Sequence, residues 1–173
     1  MANDTKHLAV VRHAKARAPG GGLPDHDRPL SKRGREDARE LGSWLALQLG
    51  HVDRVLTSSA LRAVQTWEAA AEALAVAPRV DALPELYQGD PGTVLRAIRK
   101  VDDRTHRLVV VGHEPTQSAL VLALAGDDSD RDAMQELDEG YRTGAVALLE
   151  VDGPWSELRP QDARLVAFAV PRA

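Results

Sequence analysis

The sequence predicts an α/β fold, a three-layer sandwich of helices around a mostly parallel central sheet. Three observations predict it. Short Val-rich runs bounded by polar residues recur along the chain, and segments with helical spacing and capping residues separate them. The length of 173 residues suits one core, so residues 1–173 read as a single domain.

The elements follow in chain order. Residues 7–12 and 107–112, "RLVVVG", have the unbroken hydrophobicity of strands covered on both faces, and 53–58, "DRVLTS", is a third strand candidate. Between the first and third lies a helix with Ser31 as N-cap. Ala38, Leu41, Leu45 and Leu49 follow at helical spacing, and Gly50 ends it. A second, alanine-rich helix is predicted from about Ala60 to Ala75. Asp90 and Pro91 read as N-cap and first turn of a helix through Val94, Leu95 and Ile98. Pro115 opens "TQSALVLALA", which Gly126 closes, and Ser129 with Asp132 resembles a capping box for a short helix closed by Gly140. Residues 145–151 and 164–170 are late strand candidates that pair as an antiparallel edge.

Composition excludes several function classes. With 26 acidic and 22 basic residues, a net charge of -4 and a pI near 5.9, the chain has no global basic field for nucleic acid or an anionic membrane. There is no cysteine, hence no disulfide, thiolate metal site or cysteine nucleophile. The N-terminal residues show no signal-peptide pattern and no run reaches the length of a membrane span, so a cytoplasmic location is expected. The sequon at Asn3 is then a chance match. Gly20–Gly22 lacks the lysine of a phosphate-binding glycine loop and reads as a mobile surface loop. "DDSDRD" (127–132) lacks the spacing of a calcium loop, and no compact histidine and carboxylate cluster occurs, so neither a metal nor a cofactor is expected.

In open α/β sheets ligands bind beyond the carboxyl ends of the strands. The first strand there delivers Arg12 and His13. The second runs through Ser58 and Ser59 into a helix whose first turn carries Arg62, and the third ends at Gly112 and delivers His113. Any one of these four alone reads as a structural or surface residue. Two arginines and two histidines at three successive strand ends, beside helix N-termini that favour anions, read as an anion site. Arginine forks match phosphoryl oxygens, and a neutral imidazole is a competent nucleophile toward phosphorus. Phosphoryl transfer through a phosphohistidine intermediate is the chemistry these residues point to. Serine in "TSS" is a rival nucleophile, but no Gly-x-Ser-x-Gly elbow surrounds it. His7, His26, His51 and His106 read as solvated or structural.

"VVRHAKA", "RPLSKRG", "LTSSALRAVQT", "PELYQGD" and "VVVGHEP", in this order over about residues 6–125, resemble the histidine phosphatase superfamily with its phosphoglycerate mutase-like fold, and most closely its small phosphohistidine phosphatase branch. The resemblance implies that His13 is the nucleophile, that Arg12, Arg62 and His113 form the phosphate pocket with His113 protonated, and that Glu85 falls at the usual position of the proton donor. Ala14 stands where the superfamily usually has glycine. Asp25, Asp27 and Arg28 read as a structural loop, with the mouth of the site as the alternative.

The chain between Arg62 and His113 has no room for a large cap subdomain, so an open site is expected. An open site suits a phosphorylated protein, with phosphohistidine as the attractive substrate. A phosphatase of small phosphomonoesters is the nearest alternative, and a non-catalytic phosphate-binding module is the alternative of another class. The sequence assigns no oligomeric state.

Overall fold

In the computed structural model, which describes residues 5–173, the first apolar run lies near the middle of a six-stranded sheet. β1 (Lys6–Arg12) pairs in parallel with β4 (Arg107–Gly112) and antiparallel with β5 (Val146–Val151). β2 (Arg54–Ser58) continues the parallel part beyond β4, with β3 (Arg79–Leu83) outside it, and β6 (Ala163–Ala169) closes the other edge antiparallel to β5. The order is therefore β3-β2-β4-β1-β5-β6, four parallel strands and an antiparallel edge.

Alternation along the strands builds two cores, because successive side chains of a strand point to opposite faces. Leu8, Val10, Leu108 and Val110 meet α3 (Pro91–Arg99), α4 (Thr116–Leu124) and α5 (Arg131–Asp138) on one face. Ala9, Val11, Val109 and Val111 meet α1 (Lys32–Leu49) and α2 (Leu61–Ala71) on the other. The three-layer expectation holds. Between β2 and β4 the chain makes only α2, β3, a one-turn helix at Pro84–Leu86 and α3, so among the described residues no cap subdomain covers the strand ends. Among the described residues no helix is long and apolar enough to cross a membrane.

Three expectations need correction. β3 is a strand the apolar pattern does not reveal, because "RVDAL" is a short edge strand with Arg79, Val80 and Ala82 exposed. α2 stops at Ala71, four residues before the expected Ala75. The cap of α5 is Asp130, whose carboxylate accepts from Ala133 N, while Ser129 Oγ accepts from Leu165 N and so ties the turn to β6. The caps Ser31 and Asp90 stand as expected, accepting from Gly34 N and Thr93 N. The sequon at Asn3 lies outside the described residues.

The segment "RPLSKRG" supports the chain just after His13. Ser31 N and Oγ both donate to Lys15 O, at 2.9 and 3.0 Å, and a Cβ on Gly34 would meet that oxygen at 2.1 Å. We therefore expect Gly34→Ala to displace the 13–15 turn and to cost about 1 to 3 kcal/mol, the range for overpacking. Urea denaturation alongside turnover measures it, and a variant with parent stability and parent turnover would contradict the close packing.

Candidate active site

Arg12 is the last residue of β1 and pairs in register with Gly112, the last residue of β4. His13 and His113 thus leave neighbouring parallel strands at the same level, and their ring centroids are 5.1 Å apart, close to the ~4.8 Å spacing of adjacent strands. The His13 backbone is fixed on both sides, its N–H donating to Gly112 O and its C=O accepting from Gly144 N, each at 3.0 Å. The side chain of Gln117 stitches the two strands together behind the site by donating to Val11 O at 2.9 Å.

Two hydrogen bonds set the His13 tautomer. Nδ1 lies 2.7 Å from the carbonyl of Ala14, which can only accept, so Nδ1 carries the proton. Nε2 then presents its lone pair, toward which Arg62 Nε–H donates at 3.3 Å. His13 is only 9% exposed. Burial pushes the His13 pKa down to about 3, and the positive fields of His113, Arg62 and Arg12 act in the same direction against the Ala14 carbonyl. His113 is lowered to about 4, chiefly by burial and then by Arg62, with Asp25 opposing. Its Nε2 shares a 2.8 Å hydrogen bond with Ser58 Oγ. In the free protein these shifts favour the neutral form of both imidazoles at pH 7, while the protonated His113 that the resemblance implies is a form set against the developing charge on phosphate. An NMR titration of the free protein should show no protonation of either ring between pH 8 and 5, with transitions only near pH 4 and below. A transition of His13 near 6.5 would refute the burial argument.

Arg62, in the first turn of α2, is 6% exposed. Besides Nε, its Nη1 donates to Asp25 O at 2.7 Å and its Nη2 to Asp25 Oδ2 at 3.0 Å. Thr66 links this helix to the nucleophile strand, since its hydroxyl donates to Arg62 O and accepts from Ala14 N. Arg12 Nη1 donates to Tyr141 O at 2.8 Å, whereas its buried Nε–H has no partner among the described residues. Ala14 packs its methyl group among Leu30, Ala38 and Ala69, and the described residues with positive φ do not include it, so this turn does not require glycine.

Arg12, His13, Asp25, Arg62 and His113 line one cavity of about 450 Å3 together with Lys15, Arg28, Tyr87, Gln88, Glu114 and Thr143. Asp25 and Arg28 therefore belong to the mouth of the site, the alternative reading of their loop. Asp25 accepts from Tyr87 Oη at 2.7 Å, from Arg28 Nε at 2.9 Å and from Arg62, and these bonds hold its carboxyl well below the usual carboxylate range. Glu114 is engaged through both oxygens by Ser118 N and Oγ.

Glu85 is not brought to this cavity. It lines a separate cleft with Arg54, Asp81, Thr93 and Arg96. The reason is the one-turn helix: at three residues per turn successive side chains are about 120° apart, and the buried Leu86 takes the core direction. Glu85 and Tyr87 are left on opposite flanks, and Tyr87 receives the site. Sequence reading missed Tyr87; an aromatic residue two positions beyond Glu85 was the available signal. Ser58 is fully buried and bonded to His113, and Ser59 Oγ lies 3.0 Å from His26 Nε2, so neither serine of "TSS" is a free nucleophile.

A model of the histidine phosphatase superfamily (branch 1) matches residues 8–93. An uncharacterized protein of Mycobacterium tuberculosis (strain H37Rv) is 44% identical over 163 residues, 94% of this chain and 100% of that one. The phosphohistidine phosphatase SixA of Escherichia coli K12 is 32% identical over 145 residues, 83% of this chain and 84% of that one. A solved structure of a candidate phosphohistidine phosphatase SixA from Nakamurella multipartitia superposes with a TM-score of 0.82 at 30% identity, covering 98% of each chain. The fold is also shared with a phosphoglycerate mutase of Plasmodium falciparum, at a TM-score of 0.62 and 20% identity over 98% of this chain and 93% of that one. Sheet, strand-end imidazoles and these likenesses define a phosphatase of phosphoglycerate mutase-like fold. The chain belongs to the histidine phosphatase superfamily.

Proposed function

We propose that this phosphatase removes the phosphoryl group from phosphohistidine on a protein, through a phosphohistidine intermediate at His13. The observation that carries the reading is the His13 and Arg62 pair: a neutral imidazole with Nδ1–H committed to Ala14 and its Nε2 lone pair facing a guanidinium. In the first step Nε2 attacks phosphorus in line, the Nε2–P bond forms, and the substrate's P–N bond breaks with its electron pair going to the departing imidazole. Arg62 Nε–H shifts from Nε2 to a phosphoryl oxygen. Arg12 and His113, which line the same cavity, bind the others. The dianion also supplies a counter-charge that favours protonation of His113. Water then attacks phospho-His13, the P–Nε2 bond breaks, and inorganic phosphate leaves with neutral His13 restored.

The leaving group favours phosphohistidine. An alkoxide needs a proton as it departs, yet Asp25 is held ionised and Glu114 is occupied by Ser118. An imidazole protonated on its second nitrogen departs neutral and needs no such acid. The open strand ends give a side chain on another protein room to enter, and relatives named phosphohistidine phosphatases support the same reading. Phosphate release from a phosphohistidine protein, compared with release from a panel of phosphomonoester metabolites, tests it. A higher kcat/KM for the protein is expected; a higher value for any metabolite would replace this reading by the small-substrate one.

A further inference from the structure

We propose that Tyr87 and Asp25 form a subsite for the departing imidazole and make Tyr87 a specificity-determining residue. This inference rests on the phosphohistidine reading. In-line displacement places the leaving group on the far side of phosphorus from His13 Nε2, toward the cavity mouth. Among the described residues that line this cavity, Tyr87 supplies the aromatic ring besides the two site histidines.

That ring is anchored from several directions. Its hydroxyl donates to Asp25 Oδ2 at 2.7 Å. It stands nearly perpendicular to His26 (centroids 4.9 Å, 89°) and to His113 (5.7 Å, 76°), and the Arg62 guanidinium lies 5.9 Å from its centroid. A ring fixed in this way loses little freedom when a second planar ring packs on it, so the contact is available for binding and for departure.

Asp25 supplies the polar half of the subsite. Its side chain is about half exposed, 52%, although Tyr87, Arg28 and Arg62 keep it ionised. An ionised, half-exposed carboxylate at this point favours by its charge the protonated phosphoimidazole, the form that leaves as neutral imidazole. Attack at phosphorus thus needs no proton transfer to the leaving nitrogen: that nitrogen takes the P–N electron pair, and the other keeps its proton.

The test compares two substrates with the same P–N bond, a phosphohistidine peptide and phosphoramidate, which has no ring. Tyr87→Leu removes the aromatic face, and Tyr87→Phe keeps it without the hydroxyl. The ratio of kcat/KM for the peptide over phosphoramidate should fall about tenfold in Tyr87→Leu and by much less in Tyr87→Phe. Equal losses on both substrates in Tyr87→Leu would reduce Tyr87 to a support for Asp25 and overturn the proposal while leaving the proposed function standing. A parent protein that does not cleave the peptide would overturn both.

Discussion

His13→Asn should abolish turnover, with a loss of roughly 10^4-fold or more, as expected when a covalent nucleophile is removed. The fold should survive. The His13 ring makes two hydrogen bonds, to the Ala14 carbonyl and from Arg62 Nε–H, and its backbone bonds to Gly112 and Gly144 do not depend on the side chain. A pulse of labelled substrate followed by rapid quench without acid should leave label on the parent and none on the variant. A variant that retains a tenth of parent activity with an unchanged circular dichroism spectrum would remove His13 from the reaction.

Arg62→Ala should lower turnover on the order of 100 to 1,000-fold, the usual effect of losing one preorganised donor to developing charge. Arg62→Lys should recover little, because the N–H groups of an ammonium radiate from one nitrogen and cannot span His13 Nε2, Asp25 O and Asp25 Oδ2, which three guanidinium nitrogens reach. Added guanidinium should restore part of the Arg62→Ala loss and none of the His13→Asn loss. Turnover of Arg62→Ala within fivefold of the parent, measured with phosphohistidine and a phosphomonoester alike, would show that the guanidinium does not clamp phosphate.

The four central residues were legible because their placement follows a rule of sheets: Val-rich runs reveal β1 and β4, whose ends deliver Arg12, His13 and His113, and "DRVLTS" reveals β2, which leads into the turn that carries Arg62. Glu85 and Tyr87 were not, since their directions depend on a single turn of 3-10 helix that leaves no periodic trace. Asp25 is similar. Its "DHDRPL" loop has the composition of any turn, and only the fold brings it to Arg62, 37 positions along the chain. β3 escaped because an exposed edge strand has one neighbour and needs no apolar run. The buried Lys6 was equally silent, as its Nζ is satisfied by Gly153 O and Asp103, partners about 150 and 100 residues distant.

The gap between the two imidazoles is a repeat distance of the sheet rather than a property of any loop. Warming the protein should therefore keep the two imidazoles at this spacing until the central strands themselves separate. Discrimination among leaving groups rests instead on two surface turns, around 25 and 87, which open at lower cost. A heated sample should thus lose leaving-group selectivity, together with the Asp25 brace on Arg62, before the sheet itself parts.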